Sequence, residues 1–196
     1  MGHVHASERT DFQALPLVSL LRELAEVVRP LLPQQYNHHD ALMEGSVGGH
    51  VRHCLDHVSA LVGAAEAAGD GRRAAGDLDL DYDVRRRGTP IEHDPAAACA
   101  AMAELVQRLT AVDPSCWNRT VRVHLALTTT MPAAAVLSTL GRELAFVLSH
   151  SVHHNAMIRV MVRSLGREVP KTFGYAPSTL AYLSGSAAQP DVNRGG

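Results

Sequence analysis

Apolar residues recur at helical spacing from Phe12 to about Leu32, through Leu17, Leu20, Leu21, Leu24, Val27 and Val28. That period predicts an amphipathic helix. Pro30 and Pro33 close it, because proline lacks the N–H that a continuing helix needs. Residues 34–44, with His38, His39 and Asp40, read as a loop. Ser46 stands where an N-cap hydroxyl can accept from the first turn of a second helix. Val47, Val51, Cys54, Leu55, Val58 and Val62 carry that helix to about Ala68, and Gly69-Asp70-Gly71 stops it. Residues 69–94 are crowded with charge and read as a long connection. Asp94 and Pro95 give the N-cap and first-turn signal of a third helix, which runs to about Thr110. From Arg119 to Thr128 the pattern changes to alternation. Val121, Val123, Leu125 and Leu127 share one face, with Arg122, His124 and Thr128 on the other, as a strand requires. Pro132 marks a turn, and Ala134 to Leu137 is the returning strand. A last helix opens over 138–143, continues to about Leu165 and ends at Gly166. Pro170, Pro177 and Pro190 make the remainder an irregular wrap and tail. The fold class is therefore mainly α, a four-helix bundle with a small β-hairpin before the last helix. The bundle occupies residues 12–183, between flexible tails at 1–11 and 184–196.

Composition narrows the class. Hydrophobic residues make up 46% of the 196 positions and aromatics only 4%, so Ala, Leu and Val supply the apolar surface and favour helix. The formal net charge of −2 provides no basic field for nucleic acid or an acidic membrane surface. Arg dominates the cations, and Lys171 is the only lysine. Cys54, Cys99 and Cys116 form no CxxC pair. They indicate neither a disulfide framework nor a cysteine zinc site, and they suit a reduced compartment. No apolar run approaches the ~18 residues that span a bilayer, and the polar N-terminus lacks the apolar stretch of a signal peptide. The expected location is the cytoplasm.

Histidine is the residue in excess, with 12 copies. His50, His53 and His57 lie at spacings of three and four on the second helix, all on one face. His150, His153 and His154 lie on the last helix. The pair His150 and His154 projects from one stripe a turn apart, and can chelate one ion without bending the backbone. A third imidazole from the facing helix completes a three-nitrogen set. The fourth position stays open to water or substrate, as in catalytic zinc sites. Imidazole also suits nickel, copper and ferrous iron. Each such residue taken alone is more often a surface or structural histidine; two clusters at matching spacing point to a metal. A zincin is excluded, because the residue after His150 is Ser151 where HExxH needs Glu. A carboxylate-bridged di-iron bundle is excluded by the lack of an inward carboxylate row. Glu143, seven residues before His150, either orients a ligand imidazole or pairs with a neighbouring Arg. No GxGxxG, Walker A or GxSxG motif occurs.

The segment SVGGHVRHCLDHV, residues 46–58, resembles the second helix of the DinB-like metalloprotein superfamily. The segment RELAFVLSHSVHHNAMI, residues 142–158, resembles its fourth helix, where HxxxH supplies two ligands. YDVRRRGTPIE (82–92) and FGYAPSTLAY (173–182) resemble one bacterial subgroup. The resemblance implies a four-helix bundle with a three-histidine metal site. Carried over by position, the ligands are His53, His150 and His154, and His57, one turn along the same stripe, competes with His53 for the helix-two place. His50, His57 and His153 are left as orienting, proton-moving or structural groups, with His57 and His153 the candidates for catalysis. Many members follow the last ligand with Gly and Gln, where this chain has Asn155, Ala156 and Met157.

The resemblance also implies a chemistry. Some members are enzymes that use low-molecular-weight thiols, and others are known as stress-response proteins. The first expectation is a metal-dependent thiol S-transferase, or a related isomerase or hydrolase, with one divalent ion (zinc, nickel or iron). A thiol of pKa near 8.5 is mostly protonated at neutral pH, and coordination to a dication favours the thiolate that attacks an electrophile. Arg85, Arg86 and Arg87 are candidates to hold an anionic group, against the simpler reading of a solvated charged loop. The second expectation is a non-catalytic metal-binding stress-response bundle, with homodimerisation through an Ala-rich helix face. Bis-histidine haem binding needs a wide apolar slot, which Ala-rich packing opposes. Cys54, Tyr82 and Trp117 are expected in the packing rather than in the chemistry.

Overall fold

The computed structural model describes residues 14–70, 78–84, 88–130 and 133–185. The expected tail at 1–11 and nearly all of that at 184–196 lie outside the described residues, as do Arg85, Arg86 and Arg87.

Capping sets the ends of the long helices. The first, α1 (Leu15–Val28), carries Pro16 in its first turn and buries Leu17, Leu21, Leu24 and Val28. A one-turn helix, α2 (Pro33–Tyr36), follows. The long helix α3 (Val47–Gly69) begins where Ser46 Oγ accepts from the Gly49 N–H at 3.0 Å. A short helix α4 (Pro90–His93) leads into α5 (Pro95–Ala111), whose N-cap Asp94 accepts from the Ala96 N–H at 2.8 Å. The last long helix, α6 (Leu140–Ser164), is capped by Thr139, whose hydroxyl accepts from the Arg142 N–H. Helices α1, α3, α5 and α6 form the bundle, with α3 packed mainly against α6 and α5 against α1 and α3. This is the mainly helical bundle that the periodicity predicts.

Several details differ from the sequence reading, beginning with the short helices α2 and α4, which fall in segments read as loop and connection. The connection 69–94 contains a strand, β1 (Asp79–Asp81), paired in parallel with β2 (Thr120–Leu125). β2 pairs antiparallel with β3 (Ala134–Thr139), placing Val123 opposite Val136. The hairpin is thus part of a three-stranded sheet of order β1-β2-β3. A 3-10 turn (Pro114–Asn118) buries Trp117 beside it. The wrap after α6 ends in a seven-residue helix, α7 (Pro177–Leu183). Phe173 of this wrap is fully buried and Arg159 of α6 lies 4.3 Å over the Tyr175 ring, so the wrap packs on α6, and Thr172 and Tyr175 share a small cavity with Pro16 and Leu20 of α1.

Close approach fixes one helix contact. A Cβ on Gly48 would meet the Glu92 carbonyl oxygen at 2.0 Å, so only glycine lets α4 sit on the start of α3. Arg52 reinforces that contact through ion pairs to Asp56 and Glu92. No helix among the described residues is long and apolar enough to cross a membrane.

Candidate metal centre

Two histidine pairs at i, i+4 spacing face each other: His53 and His57 on α3, His150 and His154 on α6. The α3–α6 contact brings their rings together. His53 Nε2 and His150 Nε2 are 2.9 Å apart. Two neutral ring nitrogens that close must share either a proton or a cation between their lone pairs. His57 adds a third imidazole, with ring centroids 4.5 Å from His53 and 4.4 Å from His150. The donor atoms of His53, His57 and His150 all lie within 4.8 Å of one another. His154 flanks the same pair from the other side, with centroids 4.7 Å from His53 and 4.6 Å from His150.

One set of donor atoms is therefore gathered among the described residues, His53, His57 and His150; His154, expected from the sequence as the third ligand, lies beside it in ring contact and is not part of that set. His57 is buried, and its Nδ1 lies 3.1 Å from the His53 carbonyl oxygen. A carbonyl can only accept, so Nδ1 carries the proton and Nε2 keeps its lone pair for a ligand. His154 Nδ1 lies 3.0 Å from His50 Nδ1. With His154 as donor of that pair, its own Nε2 is likewise left as a base. His153 is exposed, touches the group only through a ring contact with His154, and does not line the adjoining cavity.

Electrostatics prepare these rings for a cation. Burial, then the neighbouring His57 and His153 charges, pulls the His150 pKa down to about 4. Burial, followed by His53 and the other imidazoles, takes His154 to about 3. Burial also lowers His50. At neutral pH His150 and His154 are thus uncharged, the form that binds metal. Three neutral nitrogen donors with no carboxylate among them fit a borderline divalent ion such as zinc or nickel.

A cavity of about 520 Å³ opens beside the group, and His53, His57 and His150 form part of its wall. Its far side is apolar, with Val123 and Leu125 from β2, Val136 and Leu137 from β3, and Phe146 from α6. Tyr82 stacks on His57 at 5.0 Å with an interplanar angle of 15°. Its hydroxyl donates to Glu143 Oε2 at 3.1 Å. Glu143 Oε1 also accepts from Ser138 at 2.6 Å and from Arg142 at 3.0 Å. Of the two roles open to Glu143 in the sequence, the Arg pairing is therefore made, and its link to His57 runs through Tyr82. Burial, then the Glu143 charge, raises the Tyr82 pKa, so the phenol stays a donor.

Residues 17–158 match the DinB superfamily. The chain belongs to the DinB superfamily. A curated relative is FK506-binding protein 5 of Rhizopus delemar, 33% identical over 109 residues. That match covers 53% of this chain and 27% of the relative, so the shared region is about a quarter of that longer protein.

Cys54 is fully buried, and burial pushes its thiol up to about 12, which makes it a packing residue. Trp117 is likewise in the core. Tyr82 packs and also forms cavity wall, a role its place in the charged 69–94 segment concealed. Arg142 was missed as a cavity residue. The signal was the stripe Arg142, Phe146, His150, His154 at steps of four along one helix face.

Proposed function

We propose that this DinB-superfamily protein binds one divalent cation between His53 and His150, with His154 or His57 as third imidazole, and uses it to activate a small thiol toward an electrophile. The observation that supports this reading most is the opening of the histidine cluster onto an apolar cavity. A purely structural ion needs four protein ligands and no access; here three imidazoles line a space large enough for a small molecule. The cytoplasm, where low-molecular-weight thiols are abundant, is the setting this reading implies.

When bound, the cation supplies Lewis acidity that favours the ionised form of a thiol or water. The chain's residues do the rest. His53 and His150 are presented from two rigid helices and need little reorganisation. With His154 in the ligand set, His57 faces the cavity with Nε2 unprotonated and can take a proton from an incoming thiol. With His57 in the set, Tyr82 holds its ring plane by stacking. Val123, Leu125, Val136 and Phe146 exclude water around the reacting groups.

A non-catalytic metal-binding role in a stress response is the second reading, favoured because no carboxylate among the described residues joins the three-imidazole group. Zinc- and nickel-loaded protein assayed with a panel of small thiols and electrophiles separates the two. Turnover that His57→Ala or His154→Ala lowers at least tenfold supports the enzyme. No thiol consumption under any loading contradicts it.

A further inference from the structure

Among the described residues, Arg142 is the arginine on the cavity wall. Its side chain is 66% exposed, and its guanidinium carbon lies 5.5 Å from the Phe146 ring centroid. Phe146 in turn stacks on His150 with centroids 5.7 Å apart and planes 19° from parallel. A guanidinium, an aromatic platform and a candidate ligand thus stand in sequence along one wall. The guanidinium is no further from the imidazole than the sum of those two steps.

The anionic groups nearby are already engaged. Glu143 accepts from Tyr82, Ser138 and Arg142, and the Asp83 carboxylate accepts from the Ala126 N–H. Arg142 spends one N–H on Glu143, and a guanidinium carries five in a planar fork. Its outer edge can therefore receive a planar anion in bidentate fashion. At this end of the cavity, away from the imidazoles, Arg142 is the only cationic side chain other than histidine among the described lining residues, against the carboxylates of Glu143 and Asp83, so the anchor point suits a monoanion better than a dianion. That favours a carboxylate over a phosphate.

We propose that Arg142 anchors a carboxylate on the molecule that enters the cavity, and that the site selects elongated ligands with an apolar body between that carboxylate and the group presented to the imidazoles. This rests on the cavity being the substrate site of the proposed thiol chemistry. Arg142 is then a specificity residue: it fixes which end of the ligand meets the histidines.

The test is calorimetric titration of full-length protein with its metal content measured. The probes are 6-mercaptohexanoate, 6-mercaptohexanol, hexanoate, hexanol and hexyl phosphate, against wild type, Arg142→Gln and Arg142→Lys. Each acid should bind wild type about tenfold more tightly than its alcohol, as a charge-assisted contact at a partly exposed site allows. The preference should vanish in Arg142→Gln and return only in part in Arg142→Lys, which keeps the charge but not the fork, with metal content unchanged. The thermal midpoint of Arg142→Gln should fall with the lost Glu143 contact, so binding is compared well below it on protein with a wild-type circular dichroism spectrum. Equal binding of acid and alcohol, a preference that survives in Arg142→Gln, tighter binding of the phosphate, or no binding at all would overturn the proposal. If hexanoate keeps its Arg142-dependent advantage while the thiol adds nothing, the anchor stands and the thiol reading falls.

Discussion

Replacing Tyr82 with Phe removes one hydroxyl and leaves the ring stacked on His57. The lost contact is the 3.1 Å bond to Glu143, a carboxylate only 2% exposed. A hydrogen bond to a charged group is worth about 1.5–3 kcal/mol. This one is at the long end for an O–H donor, and Ser138 and Arg142 still serve the carboxylate, so the lower figure applies: about 1.5 kcal/mol. With a urea slope of about 2 kcal/mol per M, the unfolding midpoint falls by roughly 0.75 M. The phenol stays protonated through mildly alkaline pH, so the difference from wild type should not vary between about pH 7 and 9. Metal content should be unaffected, because the stack survives. Tyr82→Leu removes the stack as well and should cost about 3 kcal/mol or more, with weaker metal binding. A Phe variant within 0.5 kcal/mol of wild type would refute the reasoning. So would a Leu variant no worse than the Phe variant.

Other outcomes follow from particular positions. Gly48→Ala forces a methyl against the Glu92 carbonyl and should destabilise by about 2–3 kcal/mol, whereas Gly63→Ala, with nothing within 4 Å of the new methyl, should stabilise by about 0.5–1 kcal/mol; urea melts of the two variants check both signs. In metal-free protein the folded pKa values of about 4 for His150 and about 3 for His154 lie below the ordinary 6.5. The unfolded chain therefore takes up protons first, and stability that is complete above about pH 6.5 declines as pH falls toward 4. The slope is at most about 1.4 kcal/mol per pH unit per group, reduced by partial exposure. A urea midpoint that does not drop between pH 7.5 and 5 contradicts this. Cys54, buried with its thiol raised to about 12, should resist a disulfide reagent in native protein and react on unfolding, as timed by mass spectrometry.

Much of the frame is legible from periodicity and caps. Ser46, Asp94 and Gly166 mark ends of α3, α5 and α6 because their local chemistry needs no tertiary partner. β1 was hidden by charge. Leu78, Leu80 and Tyr82 do alternate with Asp79 and Asp81, and all three are buried, but a three-residue parallel strand becomes stable only when β2 is beside it. At the site, helical spacing alone brings His53, His57, His150 and His154 to the α3–α6 seam. It does not choose the third imidazole, because His57 and His154 occupy equivalent i, i+4 positions. Rotamers decide that, and they depend on the Tyr82 stack and the His50 contact. Arg142 shares the helical stripe of Phe146, His150 and His154, but that stripe does not reveal the cavity between α6 and the sheet that gives it a role.

The central claim is that His53 and His150 hold a divalent ion. It is tested most directly by metal stoichiometry on untagged protein, measured by plasma mass spectrometry for wild type and the Ala variants at His53, His57, His150 and His154. The account predicts near-stoichiometric metal in wild type, loss in His53→Ala and His150→Ala, and loss in one of the other two, which names the third ligand. Wild-type protein that stays metal-free after incubation with zinc, nickel and ferrous iron would contradict it.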